Sequence, residues 1–102
     1  KKGFVHHVYF WMKDANDQAA KERLKSGLNE LVKIDVIQAY HLGVPANTPR
    51  EVVDNSYTFS LLLFFANKED QDIYQEHPEH LKFIEECQDV WERVQVYDSI
   101  EM

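Results

Sequence analysis

From Phe4 to Met12 the chain is apolar or aromatic throughout, interrupted only by the pair His6-His7. Alternation puts Phe4, His6, Val8, Phe10 and Met12 on one face and Val5, His7, Tyr9 and Trp11 on the other, the pattern of a strand covered on both sides. A cap at Asn16 or Asp17 then opens a helix to about Ile34, with Ala20, Leu24, Leu28, Leu31 and Val32 as its apolar stripe. A second strand covers 36–42, and the segment 43–54, holding Pro45, Asn47 and Pro49, reads as a loop. A third strand at 56–66 is apolar on both faces in its second half. Asn67, with Asp70 three residues on, caps a helix through Gln75. Pro78 lacks an N–H and cannot continue that helix, but it suits the first position of a new one capped by His77 and running to about Arg93. A last strand covers 94–100.

The order β-α-β-β-α-β is the ferredoxin-like arrangement, an α+β class with a four-stranded antiparallel sheet. Strands one and three are central in that topology, and they are the two that read as apolar on both faces. Helices cover one face of such a sheet and leave the other bare. The spare aromatic surface is expected to meet a second copy of the chain, giving a homodimer with its sheets face to face.

Composition narrows the partners. A chain of 102 residues, 44% hydrophobic and 13% aromatic, fits one domain over 1–102 with a large apolar load for its size. The formal charge of −7 and the lack of a Lys/Arg cluster beyond Lys1-Lys2 argue against nucleic acid and against an anionic membrane surface. Cys87 is the single cysteine, so neither an intrachain disulfide nor a cysteine-based zinc site can form. No long uncharged apolar run is available to span a membrane, and "GFVHHVYFWM" is too polar for a signal-peptide core, so a cytoplasmic protein is expected.

The candidate chemistry lies in "YQEHPEH", residues 74–80. With Pro78 first in its helix, His80 is third, and steps of four, three and four lead to Ile84, Cys87 and Trp91 on the face toward the sheet. A positive helix end and partial burial both favour neutral imidazole, as a general base requires. Tyr74 can donate to a carbonyl oxygen gaining charge, and His77 caps the helix. The rival reading is a histidine plugging one end of the core, its ring bonded to a backbone carbonyl. A zinc site lacks convincing third and fourth ligands, so no metal is expected. Strand alternation sends His6 and His7 to opposite faces, so only one can look at His80. Asp98 interrupts the last strand and can bond the opening one.

The segments "FVHHVYFWMK", "YHLGVPA", "YQEHPEHLKF" and "WERVQVYDS" resemble the stress-responsive A/B barrel (Dabb) family over nearly the whole chain. The HPxH element ahead of an amphipathic helix, with a V-x-V-x-D strand after it, is the most specific part. The resemblance implies a ferredoxin-like protomer and a dimeric α/β barrel. A plant polyketide-cyclase member of the family closes its substrate by aldol condensation without a cofactor. By motif, its tyrosine and histidine match Tyr74 and His80, its strand histidine matches His7, and a further histidine matches His77. Leu81, Lys82, Phe83 and Ile84 stand where that cyclase has smaller residues including glycine, which implies a smaller cavity.

The resulting expectation is a single-domain Dabb homodimer of unassigned activity with a small cleft near Tyr74 and His80. Its other partner is a small apolar or carbonyl-containing molecule. One alternative is a cofactor-free lyase or cyclase with His80 as base and Tyr74 as oxyanion donor, His7 and His77 contacting the ligand. Another is a cofactor-independent monooxygenase of the wider barrel group. No cofactor is expected in any of these readings.

Overall fold

The structure, a computed structural model, describes residues 2–102. Strand β1 (Phe4–Met12) leads to helix α1 (Gln18–Leu31), strands β2 (Ala39–Gly43) and β3 (Phe59–Phe65), helices α2 (Lys68–Glu76) and α3 (Pro78–Cys87), a 3₁₀ turn at Gln88–Val90, and strand β4 (Trp91–Ile100). The sheet order is β2-β3-β1-β4, with every neighbouring pair antiparallel. The ferredoxin-like topology is as expected, and β1 and β3 are the two inner strands.

Local chemistry sets the helix starts. The Asp17 side chain accepts from Ala20 N at 3.0 Å and that of Asn67 from Asp70 N at 2.9 Å, each satisfying an N–H with no partner inside its helix. His77 caps α3 through Nδ1, which accepts from Glu79 N at 3.1 Å, and Pro78 fills the first position. The break between α2 and α3 therefore has a defined cause.

The three helices lie on one face of the sheet. Phe4, Val8, Phe10 and Met12 of β1 and Leu61, Leu63 and Phe65 of β3 point into them and are buried with Leu24, Leu28, Leu31 and Phe83. Each fully buried aliphatic or aromatic side chain contributes about 1.5–3 kcal/mol. α1 and α3 cross closely at Gly27, where an added Cβ would come within 2.8 Å of Cys87 Sγ and 3.1 Å of Phe83 Cδ1.

Several boundaries differ from the sequence reading, α1 among them, which ends at Leu31 rather than near Ile34. Val36 and Ile37 do not belong to β2; they pack half-buried against the core in the turn before it. Residues 56–58 lie outside β3, and Ser56 and Thr58 instead bond the end of β1: Trp11 Nε1 donates to Ser56 Oγ at 3.0 Å and Thr58 N to Phe10 O at 2.7 Å. Helix α3 stops at Cys87 rather than near Arg93. Val90 turns into the core, its carbonyl accepts from Lys13 N at 3.0 Å, and Trp91 begins β4. Trp91 still packs on Phe10 and Phe83, with ring centroids 5.1 and 5.7 Å apart, but from the sheet.

The opposite sheet face carries Val5, His7, Tyr9, Trp11, Leu62, Phe64 and Tyr97, with Phe64 and Tyr97 well exposed. The helices do not reach across β4, so Val94, Val96 and Ile100 are exposed even on the helix side.

Candidate functional site

Four side chains meet where β1, β4, α2 and α3 come together. His6 is paired with Asp98 across the ladder, and its Nδ1 lies 2.5 Å from Asp98 Oδ1. The His6 side chain is almost fully buried while that of Asp98 is partly open to solvent. The carboxylate can only accept, so Nδ1 of His6 carries a hydrogen.

Tyr74, in the last turn of α2, is the next member. Its ring meets His6 edge-on at 5.7 Å and lies between Phe65 at 5.3 Å and His80 at 4.7 Å. Only 1% of Tyr74 is exposed, and burial pushes the phenol pKa well above its ordinary value, so the group is a proton donor. No buried side-chain nitrogen or oxygen among the described residues lacks a partner.

His80 closes the row. Its Nδ1 is 3.0 Å from the carbonyl of Gln75, which can only accept, so this nitrogen carries the hydrogen and Nε2 is free. The Gln75 side chain is held by buried Gln71 at 2.9 Å. Burial lowers the His80 pKa, the Gln75 carbonyl opposes that, and His6 adds to the lowering. The half-buried ring is neutral at neutral pH.

A model of the stress responsive A/B barrel domain, Dabb, matches residues 4–101. The chain belongs to the Dabb family. Solved structures carry the same fold. A Dabb-family protein from Mesorhizobium loti with a ferredoxin-like fold superposes with a TM-score of 0.81 at 20% identity, over 100% of this chain and 99% of that one. Hydroxynitrile lyase from Passiflora edulis gives 0.82 at 18% identity, over 98% and 94%. A dimeric ferredoxin-like protein of unknown function from Thermobifida fusca gives 0.78 at 17% identity, over 96% and 90%. Among functionally curated proteins no sequence matches this chain.

Within this Dabb domain the residues picked from sequence divide. Tyr74 and His80 come together. His77 is half-buried beside them in the chain but lines a separate cleft of about 340 Å³ with Glu30, Lys33, Ile34, Asp35 and Glu79. His7 is on the opposite sheet face, tilted against Tyr9 at 5.8 Å, and cannot share a ligand with His80. The strand histidine of the row is His6, one residue earlier. The signal was present: His6 alternates with Phe4, Val8, Phe10 and Met12, the wholly apolar set, and such a set belongs beneath the helices.

Larger clefts open elsewhere, at the α1–α3 groove (about 830 Å³) and beside β2 (about 530 Å³), and neither is lined by Tyr74 or His80. Among the described residues no helix is long and apolar enough to cross a membrane, and no three His, Cys, Asp or Glu side chains are grouped to hold a metal ion.

Proposed function

We propose that the His6–Tyr74–His80 row is a cofactor-free acid–base site that makes or breaks a carbon–carbon bond next to a carbonyl, in a small substrate, within a homodimer. The observation that carries this reading is the pair of fixed tautomers at the two ends of Tyr74. His80 Nδ1–H is bonded to the Gln75 carbonyl, which is the bond expected of a plug, yet the same bond leaves Nε2 as a neutral base. In the cleavage direction His80 Nε2 takes the hydroxyl proton of a β-hydroxycarbonyl compound or of a cyanohydrin, the carbon–carbon bond breaks, and an aldehyde forms. The electron pair goes to an enolate oxygen or leaves on cyanide. Tyr74 O–H donates to the oxygen that gains charge. Asp98 holds the His6 ring beside that of Tyr74. The lyase activity of the Passiflora protein and the dimeric state of the Thermobifida protein support the reaction class and the assembly.

The test is a pair of small substrates given to the intact protein: mandelonitrile, followed by benzaldehyde release, and a nitrophenyl β-hydroxyketone, followed by nitrobenzaldehyde release. Turnover above buffer that falls by about 10²-fold or more in His80→Ala, and is reduced in Tyr74→Phe, supports the reading. Absence of turnover, with no shift of the His80 ring resonances on adding either compound, makes the row a structural plug.

A further inference from the structure

The open face of the sheet is free of carboxylates in a chain that has 18 acidic residues and a formal charge of −7. Its strand positions are Val5, His7, Tyr9 and Trp11 on β1; Ala39, His41 and Gly43 on β2; Ser60, Leu62 and Phe64 on β3; and Arg93, Gln95, Tyr97 and Ser99 on β4. The acids nearest to it lie at its two ends: Glu92 in the β1–β4 bulge and Asp54, which shares a cleft with Tyr9, Trp11 and Tyr97, at one, and Glu101, just past β4 and bonded through its N–H to Gly3 O, at the other. Arg93 lies at the Glu92 end, its guanidinium 4.1 Å above the Trp11 ring.

His7 occupies the middle of this face. Its cross-strand neighbours are Leu62 on β3 and Tyr97 on β4, with Val5 and Tyr9 on either side along β1. His41 is the next residue across, beyond Leu62, and His6 lies on the far side of the sheet. No anionic side chain is among these neighbours; only the Tyr9 ring, 5.8 Å away, and the Tyr97 ring across the ladder offer an imidazolium a cation–π contact. Burial lowers the His7 pKa already in the single protomer, and His6 adds to the effect.

We infer that in the homodimer, with this face of the sheet against its own counterpart, His7 makes the union labile to acid. The inference rests on the homodimer proposed above. A surface stripped of negative charge suits self-association in an acidic protein, because the repelling carboxylates are kept on the other surfaces. The cost is that each protomer contributes an unpaired histidine to an apolar interface. Neutral rings are accommodated there. Protonated ones must be desolvated without an anion, and the two copies bring like charges together. Dissociation lets both rings take up protons, so the dimer is favoured above the His7 pKa of the free protomer and lost as pH falls through it. With two such rings the dissociation constant rises by up to about 100-fold per pH unit in that range.

Sedimentation velocity across pH 7.5 to 5.0 at fixed ionic strength tests this on the intact protein, with circular dichroism at each pH to confirm folding. The expected result is a folded dimer at the upper end whose dissociation constant rises at least tenfold on acidification, and a His7→Phe variant that stays dimeric throughout. A dimer equally tight at every pH overturns the switch and leaves the homodimer standing. Equal acid dissociation of His7→Phe also overturns it, since another group then titrates. A monomer at pH 7.5 overturns both.

Discussion

Asp98 Oδ1 and His6 Nδ1 are 2.5 Å apart, joining the last strand to the first at directly paired ladder positions. The bond fixes which nitrogen of a buried imidazole carries hydrogen, and so fixes what the ring presents to Tyr74. In Asp98→Ala, long-range ¹H–¹⁵N spectra should show His6 losing its single Nδ1–H tautomer. The stability loss should be near 1 kcal/mol, because the carboxylate is partly solvated. An unchanged tautomer would show that something other than Asp98 sets it.

His80 gives stability a pH dependence of definite sign. Burial holds its folded-state pKa below the ordinary value of 6.5, so the neutral ring is the stabilised form. That stabilisation is present above the unfolded-state pKa and declines as pH falls through it toward the lower folded value. His80→Gln, which keeps a donor for the Gln75 carbonyl, should flatten the fall in melting temperature between pH 7 and pH 5. A variant whose melting temperature falls as steeply as wild type would place the titration elsewhere. If the ring is also the base, turnover should decline on the same acid side.

The α1–α3 crossing depends on Gly27 having no side chain. Gly27→Ala should destabilise through overpacking that costs about 1–3 kcal/mol, partly offset by about 1 kcal/mol of helix propensity. In a Cys87→Ala background the space once held by Sγ receives the new methyl, 2.8 Å from that position. A double-mutant cycle read by urea denaturation should then give a favourable coupling of about 1 kcal/mol or more. Additive effects would mean that the helices adjust without reference to Cys87.

Leu62 lies at the centre of the open face, beside His7. Leu62→Glu introduces a carboxylate there and should leave the fold intact, since the side chain points away from the helices. It should shift the protein to monomer in sedimentation at neutral pH. A variant as dimeric as wild type would locate the subunit contact on another surface.

Much of this architecture is legible along the chain because several cues agree. Two-faced apolarity at 4–12 and 59–65 identifies the inner strands, and Asp17, Asn67 and His77-Pro78 fix three helix starts through backbone hydrogen bonds that their side chains or ring provide. What the chain does not reveal depends on contacts between distant segments. Val36 and Ile37 have strand-forming side chains, but the core takes them up before the ladder with β3 begins. Trp91 fits the helical spacing of Phe83 and Cys87, yet the turn of Val90 into the interior ends the helix first. The choice between His6 and His7 turns on which face of β1 the helices cover. Phe4, Val8, Phe10 and Met12 answer that only when weighed as a set against a face carrying Tyr9 and Trp11.

The ladder that sets Phe4 opposite Ile100 and His6 opposite Asp98 also constrains the order of assembly. Of the four strands, β1 is made first, and one of its two flanks is nearly a hundred residues behind it. Until β4 emerges, β1 has an open hydrogen-bonding edge beside its aromatic side chains. Closing that long separation requires loop entropy to be lost early, so folding should be slow for a chain of this length. During synthesis the nascent sheet is a three-stranded fragment, and it is in this interval that a folding chaperone would be of most use.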